Sequence, residues 1–259
     1  MLLQVKDLSI IYGSGAPTVQ HVSFDVDAGE VLAIVGESGS GKTTVIRAIQ
    51  MALPASGRVA GGQILFRNQD LYALPKEKQR AISGKDIAMI FQDAGAMLNP
   101  IHTVGRQYRD FLALHGIRDE REATARMEEM FRLVRLDPVQ VAASYIHELS
   151  GGMRQRIGIA MAVTFHPALL LGDEPTSALD VTTQAAIIRE LMDVRKRMGM
   201  AIVIVTHNMG VASYMADRIL VMKNGAVEEY GSAEQVLRHP RAAYTKMLLD
   251  AVPKLEDTL

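Results

Sequence analysis

A glycine-rich loop between a buried strand and a helix constrains this chain more than any other segment. Apolar residues 31–35 precede the loop and predict the strand, whereas residues 44–51 predict the start of a helix. A loop in this context points successive backbone N–H groups at phosphate oxygens, and the helix N-terminus adds partial positive charge. The segment fits the pattern G-x-x-x-x-G-K-[ST], and its residues are Gly36, Glu37, Ser38, Gly39, Ser40, Gly41, Lys42 and Thr43. This loop, called the phosphate loop below, therefore predicts a site for nucleotide phosphates.

Two side chains at the end of the phosphate loop have distinct expected roles. Lys42 is expected to reach the β- and γ-phosphates of the nucleotide, and the Thr43 hydroxyl is expected to ligate Mg²⁺. Thr44 follows directly and belongs to the same predicted nucleotide-binding set. An ordinary glycine-rich turn would need neither the lysine nor the hydroxyl in this order.

A second apolar run ends in two adjacent acids. Residues 168–171 predict a parallel strand, and Asp173 and Glu174 stand at its carboxyl end after Gly172. We expect Asp173 to hold Mg²⁺ through its hydration shell and Glu174 to orient or deprotonate the attacking water. A strand that merely stops at polar residues would not need both acids. The pair therefore favours transfer of a phosphoryl group to water.

Between these elements lies a segment that predicts a second anion site. Ser150 is a suitable helix N-cap, and Gly151 and Gly152 leave the first-turn N–H groups uncovered. The string Leu149-Ser150-Gly151-Gly152-Met153-Arg154-Gln155-Arg156 resembles the signature sequence of the ABC (ATP-binding cassette) ATPases. The resemblance implies that this segment faces the ATP bound by a second ABC ATPase subunit, identical or paralogous, so that each ATP lies between two proteins.

Four further residues resemble family positions. Gln92 follows a strand-like run and resembles the glutamine that contacts Mg²⁺ and the attacking water. His207 follows the run 201–206 and resembles the switch histidine that hydrogen-bonds the γ-phosphate. Asp180 resembles the acid of a loop that crosses to the partner subunit, and Tyr12 resembles the aromatic residue that stacks on adenine. Taken alone, Tyr12 is more typical of a half-buried packing residue.

The resemblance covers essentially the whole chain and implies the ABC ATPase fold. This is an α/β fold with a P-loop NTPase (RecA-like) core, an antiparallel β lobe and an α-helical insert, and its cofactors are ATP and Mg²⁺. We expect a nucleotide-binding domain over residues 1–233, with a helical subdomain over about 94–162, and a short tail over 234–259. Gly61 and Gly62 are expected to precede a strand over residues 63–66, and residues 223–226 to form a hairpin turn.

Composition narrows the class of protein. The chain has 259 residues, a net charge of −1 and no cysteine, which excludes disulfides and thiolate metal sites and offers no electrostatic case for nucleic acid. No signal peptide is recognised at the N-terminus, and no apolar stretch approaches the length of about 20 residues that a spanning helix needs. We therefore expect no nucleic-acid partner and no bilayer crossing by the chain itself.

Two subregions resemble the ATP-binding subunits of peptide, opine and nickel importers. One follows Gln92 and contains Leu98-Asn99-Pro100 and Thr103-Val104-Gly105; the other begins at His239-Pro240 and runs through Tyr244-Thr245 to Val252-Pro253. The resemblance implies uptake of peptides or of nickel and metal-chelate solutes. It also implies integral-membrane permease subunits, an extracytoplasmic binding protein acting indirectly, and a peripheral location on the cytoplasmic face of the membrane.

Several alternatives stay open at this point. A soluble, non-transport ABC ATPase remains the second hypothesis, either as a subunit of a phosphonate-degrading complex or as an ATPase associated with nucleic acid. The segment after Gln92 is expected to receive a permease helix in a shallow groove formed by residues 94–98, or else to be an ordinary surface loop. Neither the solute nor the identity of the partner cassette follows from the sequence.

Overall fold

The computed structural model describes residues 1–251, which divide into two compact units. One unit contains residues 1–83 together with residues 201–251, and the other contains residues 84–200. Val252 and Pro253 of the predicted tail lie outside the described residues. Within residues 1–251, no helix has the length and apolar character needed to cross a bilayer.

The first unit contains an antiparallel sheet built on the N-terminal hairpin. Its strands are β1 (Leu3–Tyr12), β2 (Val19–Val26), β4 (Gly57–Phe66) and β5 (Gln69–Asp70), in the order β2-β1-β4-β5. Buried residues alternate with less buried ones along β1 and β2 except at the irregularities where β1 and β2 shift register, as expected of a sheet with one covered face. This sheet is the predicted antiparallel lobe.

A second set of strands in the same unit is largely parallel. Strand β3 (Val31–Val35) pairs in parallel with both β8 (Ala201–Thr206) and β9 (Arg218–Lys223), and β10 (Ala226–Ser232) pairs antiparallel with β9. Every residue of β3 and β8 is buried, which explains why both strands are continuous apolar runs. The helices of this unit are α1 (Lys42–Ile49), α2 (Lys76–Ile82), α8 (Met209–Met215), α9 (Ala233–Arg238) and α10 (Ala243–Asp250).

The second unit combines a parallel strand pair with helices. Strands β6 (Ile87–Ile90) and β7 (Leu169–Asp173) are parallel, and the helices are α3 (Val104–Leu114), α4 (Glu120–Leu133), α5 (Pro138–Ala143), α6 (Gly151–Val163) and α7 (Val181–Met198). Helix α4 buries Ala123, Met127, Met130 and Phe131, the apolar face that its 3.6-residue period predicts. The α/β fold class with a parallel core, an antiparallel lobe and a helical insert is confirmed.

One predicted strand boundary is wrong. Gly61 and Gly62 lie inside β4 rather than before it, because β4 begins at Gly57. Gly62 has φ of +81° at a register shift against β1, where a Cβ would stand 2.3 Å from the Lys6 carbonyl oxygen. Only glycine fits such a bulge without strain, so this residue interrupts the ladder locally while the strand continues. The predicted turn at residues 223–226 is confirmed, since Lys223 pairs with Ala226.

Candidate functional site

The phosphate loop connects β3 to α1 in the first unit. Gly36 has φ of +152°, and a Cβ on it would lie 2.1 Å from the Met222 carbonyl oxygen, so the loop can leave β3 here only with glycine. Helix α1 begins after Gly41, and no side chain caps its N-terminus. The backbone N–H groups of such a tight loop, and those at the uncapped N-terminus of α1, are suited to bind the negatively charged oxygens of a nucleotide polyphosphate.

Lys42 is folded back over the phosphate loop. It is only 4% exposed, and its ammonium group donates to the carbonyl oxygens of Gly36 at 2.8 Å and Glu37 at 2.7 Å. The Ser40 hydroxyl lies 3.4 Å from the same nitrogen. A buried ammonium surrounded by oxygen ligands on the loop is suited to exchange some of them for phosphate oxygens. Together with the Thr43 hydroxyl, this donor set fits ATP and Mg²⁺.

His207 lies at the same sheet edge as the phosphate loop. Val35 pairs with Thr206 in the parallel register of β3 and β8, so Gly36 and His207 each follow directly after paired residues. The histidine is exposed, whereas the next residue, Asn208, caps α8 by accepting hydrogen bonds from Gly210 and Val211. The strand register therefore brings together two predicted site elements that are about 170 positions apart in the sequence.

Tyr12 lies at the end of β1, where its ring packs against Gly57. A Cβ at Gly57 would stand 2.7 Å from the ring, and the Tyr12 hydroxyl lies 3.3 Å from the Thr44 hydroxyl. The packing holds Tyr12 against β4, and the polar contact ties it to the first turn of α1. Stacking of Tyr12 on adenine stays a prediction.

In the second unit, the parallel register of β6 and β7 sets the positions of the acids and the glutamine. Ile90 pairs with Gly172, so Gln92 and the acids Asp173 and Glu174 lie at the same carboxyl edge. Glu174 has φ of +45°, in the left-handed region that non-glycine residues rarely adopt. Backbone strain of this kind is found preferentially at functional sites. Gln92 is exposed, while the carbonyl of the preceding Phe91 accepts a hydrogen bond from Gln155.

The signature segment lines a cavity of about 480 Å³. As predicted, Ser150 caps α6 by accepting from the Met153 N–H at 3.3 Å. Residues from the start of α7 complete the cavity, so Ser150, Gly151 and Gly152 face Asp180 and Thr183 within this unit. The cavity walls are thus formed by two helix N-termini, whose partial positive charge favours anions, and the N-terminus of α7 is already capped by the Asp180 carboxylate.

Asp180 acts as the N-cap of α7. Its carboxylate accepts from the Thr182 hydroxyl at 2.5 Å and from the Thr183 N–H at 2.9 Å. These hydrogen bonds, with that from Thr182 the largest cause, hold the pKa of Asp180 well below its ordinary value. The carboxylate is therefore ionised at neutral pH and is already engaged within its own chain.

Three contacts around these segments were missed by sequence reasoning. Arg156 pairs with Glu190, Gln155 holds the Phe91 carbonyl, and the Tyr244 hydroxyl accepts from the Glu37 N–H. Asp180 as a helix cap was also missed, although an aspartate directly before a helical run is a usable signal. Only Asp180 had a local signal, because each of the other contacts joins residues distant in sequence.

In the segment that follows Gln92, the predicted groove is only partly exposed. Ala94 is buried at 6% exposure, and a Cβ on Gly158 of α6 would stand 2.4 Å from the Ala94 Cβ. Ala96 and Met97 are exposed, the latter by 61%. The inward-facing Ala94 therefore corrects the expectation that all these small residues line a surface groove.

Comparison with known proteins identifies relatives over nearly the whole chain. The family model described as ABC transporter matches residues 19–177. The peptidoglycan transport ATP-binding protein YejF of Agrobacterium fabrum is 45% identical over 98% of this chain, which spans 48% of that protein. The oligopeptide transport ATP-binding protein OppD of Bacillus subtilis is 42% identical over 99% of this chain and 73% of its own length. Among solved structures, the dimeric ATP-binding cassette MJ0796 bound to ADP and phosphate has a TM-score of 0.78 at 27% identity, covering 90% of this chain and 99% of that one.

Proposed function

This chain belongs to the ABC transporter family, and we propose that it is the ATP-hydrolysing subunit of an importer for peptides. It is an ATPase whose cofactors are ATP and Mg²⁺. The observation that carries the peptide proposal is the identity of more than 40% to several peptide transport proteins over nearly the entire chain. Nickel and other metal chelates are the second candidate class of solute for this importer.

The proposed mechanism assigns each predicted site residue a role. When bound, Mg²⁺ neutralises charge on the phosphates during phosphoryl transfer. Lys42 would bind the β- and γ-phosphates, and Thr43, Gln92 and Asp173 would hold the metal directly or through its water. Glu174 takes the proton from the attacking water.

The remaining roles concern nucleotide recognition. His207 donates to the γ-phosphate, and Tyr12 stacks on adenine. Ser150, Gly151, Gly152 and Asp180 serve the nucleotide held by a second ABC ATPase subunit across a dimer interface. The cavity between the starts of α6 and α7, lined by these residues, supports this proposal.

The proposed assembly places the chain on a membrane. Integral-membrane permease subunits bind it at the cytoplasmic face, and an extracytoplasmic binding protein delivers the solute to the permease. We propose a nucleotide-binding domain over residues 1–233 with a helical subdomain of about 94–162, and a tail over 234–259. A soluble ABC ATPase with no permease remains the second candidate function.

Uptake in cells that lack the parental chain tests the proposal. The parental gene should restore uptake of a labelled peptide, whereas Lys42→Ala at equal protein level should not, because the phosphate charge loses its partner. Restoration of labelled nickel-chelate uptake alone would reassign the solute. A third outcome would favour the soluble ATPase over the importer. In that outcome neither solute enters the cells, the purified chain hydrolyses ATP, and complexes isolated from native cells contain the chain but no permease.

A further inference from the structure

The C-terminal helix α10 contacts the phosphate loop directly. Tyr244, in the first turn of α10, is 5% exposed, and its hydroxyl accepts a hydrogen bond from the Glu37 N–H at 3.0 Å. Glu37 is the second residue of the phosphate loop, and its own carbonyl accepts from the Lys42 ammonium at 2.7 Å. The N–H and the carbonyl of Glu37 thus connect Tyr244 in α10 to Lys42, the lysine expected to bind phosphate.

Helix α10 is itself held in place by a buried carboxylate. Glu229 of β10 is 9% exposed and accepts from the backbone N–H groups of Arg241 at 2.9 Å and Ala242 at 3.1 Å. Thr245, which is fully buried, lies beside the same carboxylate. The N-terminus of α10 is therefore held by two backbone donors to one acid, which sets the position of Tyr244 two residues beyond Ala242.

A cation and a turn complete the contact between this region and the phosphate loop. The Lys223 ammonium lies over the Tyr244 ring, 4.6 Å from its centroid. Lys223 ends β9, and Gly225 in the turn that follows donates to the Ser40 carbonyl of the phosphate loop at 3.1 Å. The ring of Tyr244 is thus held from one side by the same turn that supports the loop.

We propose that Tyr244 is a positioning residue for the phosphate loop, so that ATP affinity depends on the docking of α10. The hydroxyl fixes the orientation of the Glu37 peptide, which in turn fixes the carbonyl that holds Lys42 before nucleotide binds. Because Tyr244 acts through the loop rather than on the reacting atoms, its loss weakens nucleotide binding and leaves the chemical step unchanged. The proposal rests on the proposed role of the phosphate loop and adds a residue that lies 207 positions away in sequence.

Tyr244→Phe removes only the hydroxyl, and Tyr230→Phe is its matched control. The Tyr230 hydroxyl, in the same unit, donates to the Asp25 carbonyl at 3.1 Å and accepts from the Asp25 N–H at 3.5 Å. Both of these hydrogen bonds join it to β2 rather than to the phosphate loop. Tyr244→Phe should weaken ATP binding and raise KM roughly three- to tenfold with kcat unchanged, the factor expected for one hydrogen bond. Tyr230→Phe should leave Kd, KM and kcat at the parental values. Equal ATP affinity in Tyr244→Phe and the parent, or equal weakening in both variants, overturns the proposal.

A reciprocal measurement separates positioning from a general loss of stability. Because coupling between two sites is mutual, ATP and Mg²⁺ should slow hydrogen exchange of the α10 amides in the parent and do so less in Tyr244→Phe. No nucleotide effect on α10 exchange in the parent contradicts the proposal. Lys42→Ala tests the nucleotide-binding role of the phosphate loop separately from the positioning role of Tyr244. If Lys42→Ala binds ATP as the parent does, the role of the loop is rejected. If only Tyr244→Phe binds ATP normally, the positioning role alone is rejected.

Discussion

The Arg156 guanidinium holds the Glu190 carboxylate through two hydrogen bonds of 2.8 and 2.9 Å. Arg156 belongs to α6 and Glu190 to α7. The N-termini of these two helices line the cavity at Ser150, Gly151 and Gly152. Glu190 is 6% exposed, so this pair lies largely out of contact with water on the Glu190 side. The bidentate pair also raises the pKa of Arg156 further above its ordinary value, chiefly through the hydrogen bonds to Glu190. The Arg156–Glu190 pair thereby joins the two helices that form the cavity walls.

Arg156→Met should reduce the free energy of unfolding by about 3 kcal/mol, because it leaves a buried carboxylate without its partner. Urea unfolding without nucleotide measures the change. The double variant Arg156→Met with Glu190→Leu should recover at least half of the loss, since it removes the unpaired charge as well. A double variant as unstable as the single one would show that packing rather than charge pairing dominates.

Glu174→Gln should retain ATP binding and lose turnover by roughly a hundredfold or more, as expected when a general base is removed. The measurements are nucleotide affinity and the rate of phosphate release on the same preparation. Glu122→Gln, on the exposed face of α4, is the control and should hydrolyse ATP at the parental rate. Parental turnover in Glu174→Gln would refute the assignment of Glu174.

Ser150→Arg should prevent closure of two chains on ATP, because it places a bulky cation in the cavity at the start of α6. Sedimentation in the Glu174→Gln background, with and without ATP and Mg²⁺, measures the dimer. Ser232 caps α9 in the same way by accepting from Gln235 at 3.2 Å, so Ser232→Arg is a control for loss of a cap. Equal dimer content in the two variants with ATP would count against a composite site.

Ala96→Glu should leave the ATPase activity of the free chain nearly unchanged while abolishing assembly with the permease. The side chain is exposed beside Met97, so a charge there opposes docking of an apolar helix without disturbing the fold. Ala55→Glu, at an exposed turn of the first unit, is the matched control. Copurification of permease subunits and solute uptake are the two measurements, and normal uptake by Ala96→Glu removes the docking role from this segment.

Glu229→Gln should destabilise the protein most at neutral pH. Burial tends to raise the pKa of Glu229, but the neighbouring Thr245 side chain and the hydrogen bonds from the Arg241 and Ala242 N–H groups outweigh it and lower the pKa overall. A carboxylate with a lowered folded-state pKa stabilises the fold above its unfolded pKa, about 4.3, and loses that contribution as pH falls through the folded value. The difference in Tm between the parent and Glu229→Gln should therefore shrink below about pH 4. A difference that is constant from neutral to acid pH would show that the charge of Glu229 is not involved.

The sequence by itself determined the local elements of the site. Each of these elements depends on contiguous residues, so periodicity and capping chemistry predict it: the strand, phosphate loop and helix around Lys42, the cap at Ser150, and the acids at the end of β7. The fold class was implied by the resemblance to the ABC ATPases that these segments carry. The Gly62 bulge did not, because a glycine inside a strand and one before it give the same local pattern.

Only the tertiary structure decided which distant residues meet. The pairing of Val35 with Thr206 sets His207 beside the phosphate loop, and the pairing of Ile90 with Gly172 aligns Gln92 with the acids. The hydrogen bond from Glu37 to Tyr244 depends in the same way on where α10 docks. Such contacts follow from strand register and packing, which join residues far apart in the chain and leave no periodic trace in either segment.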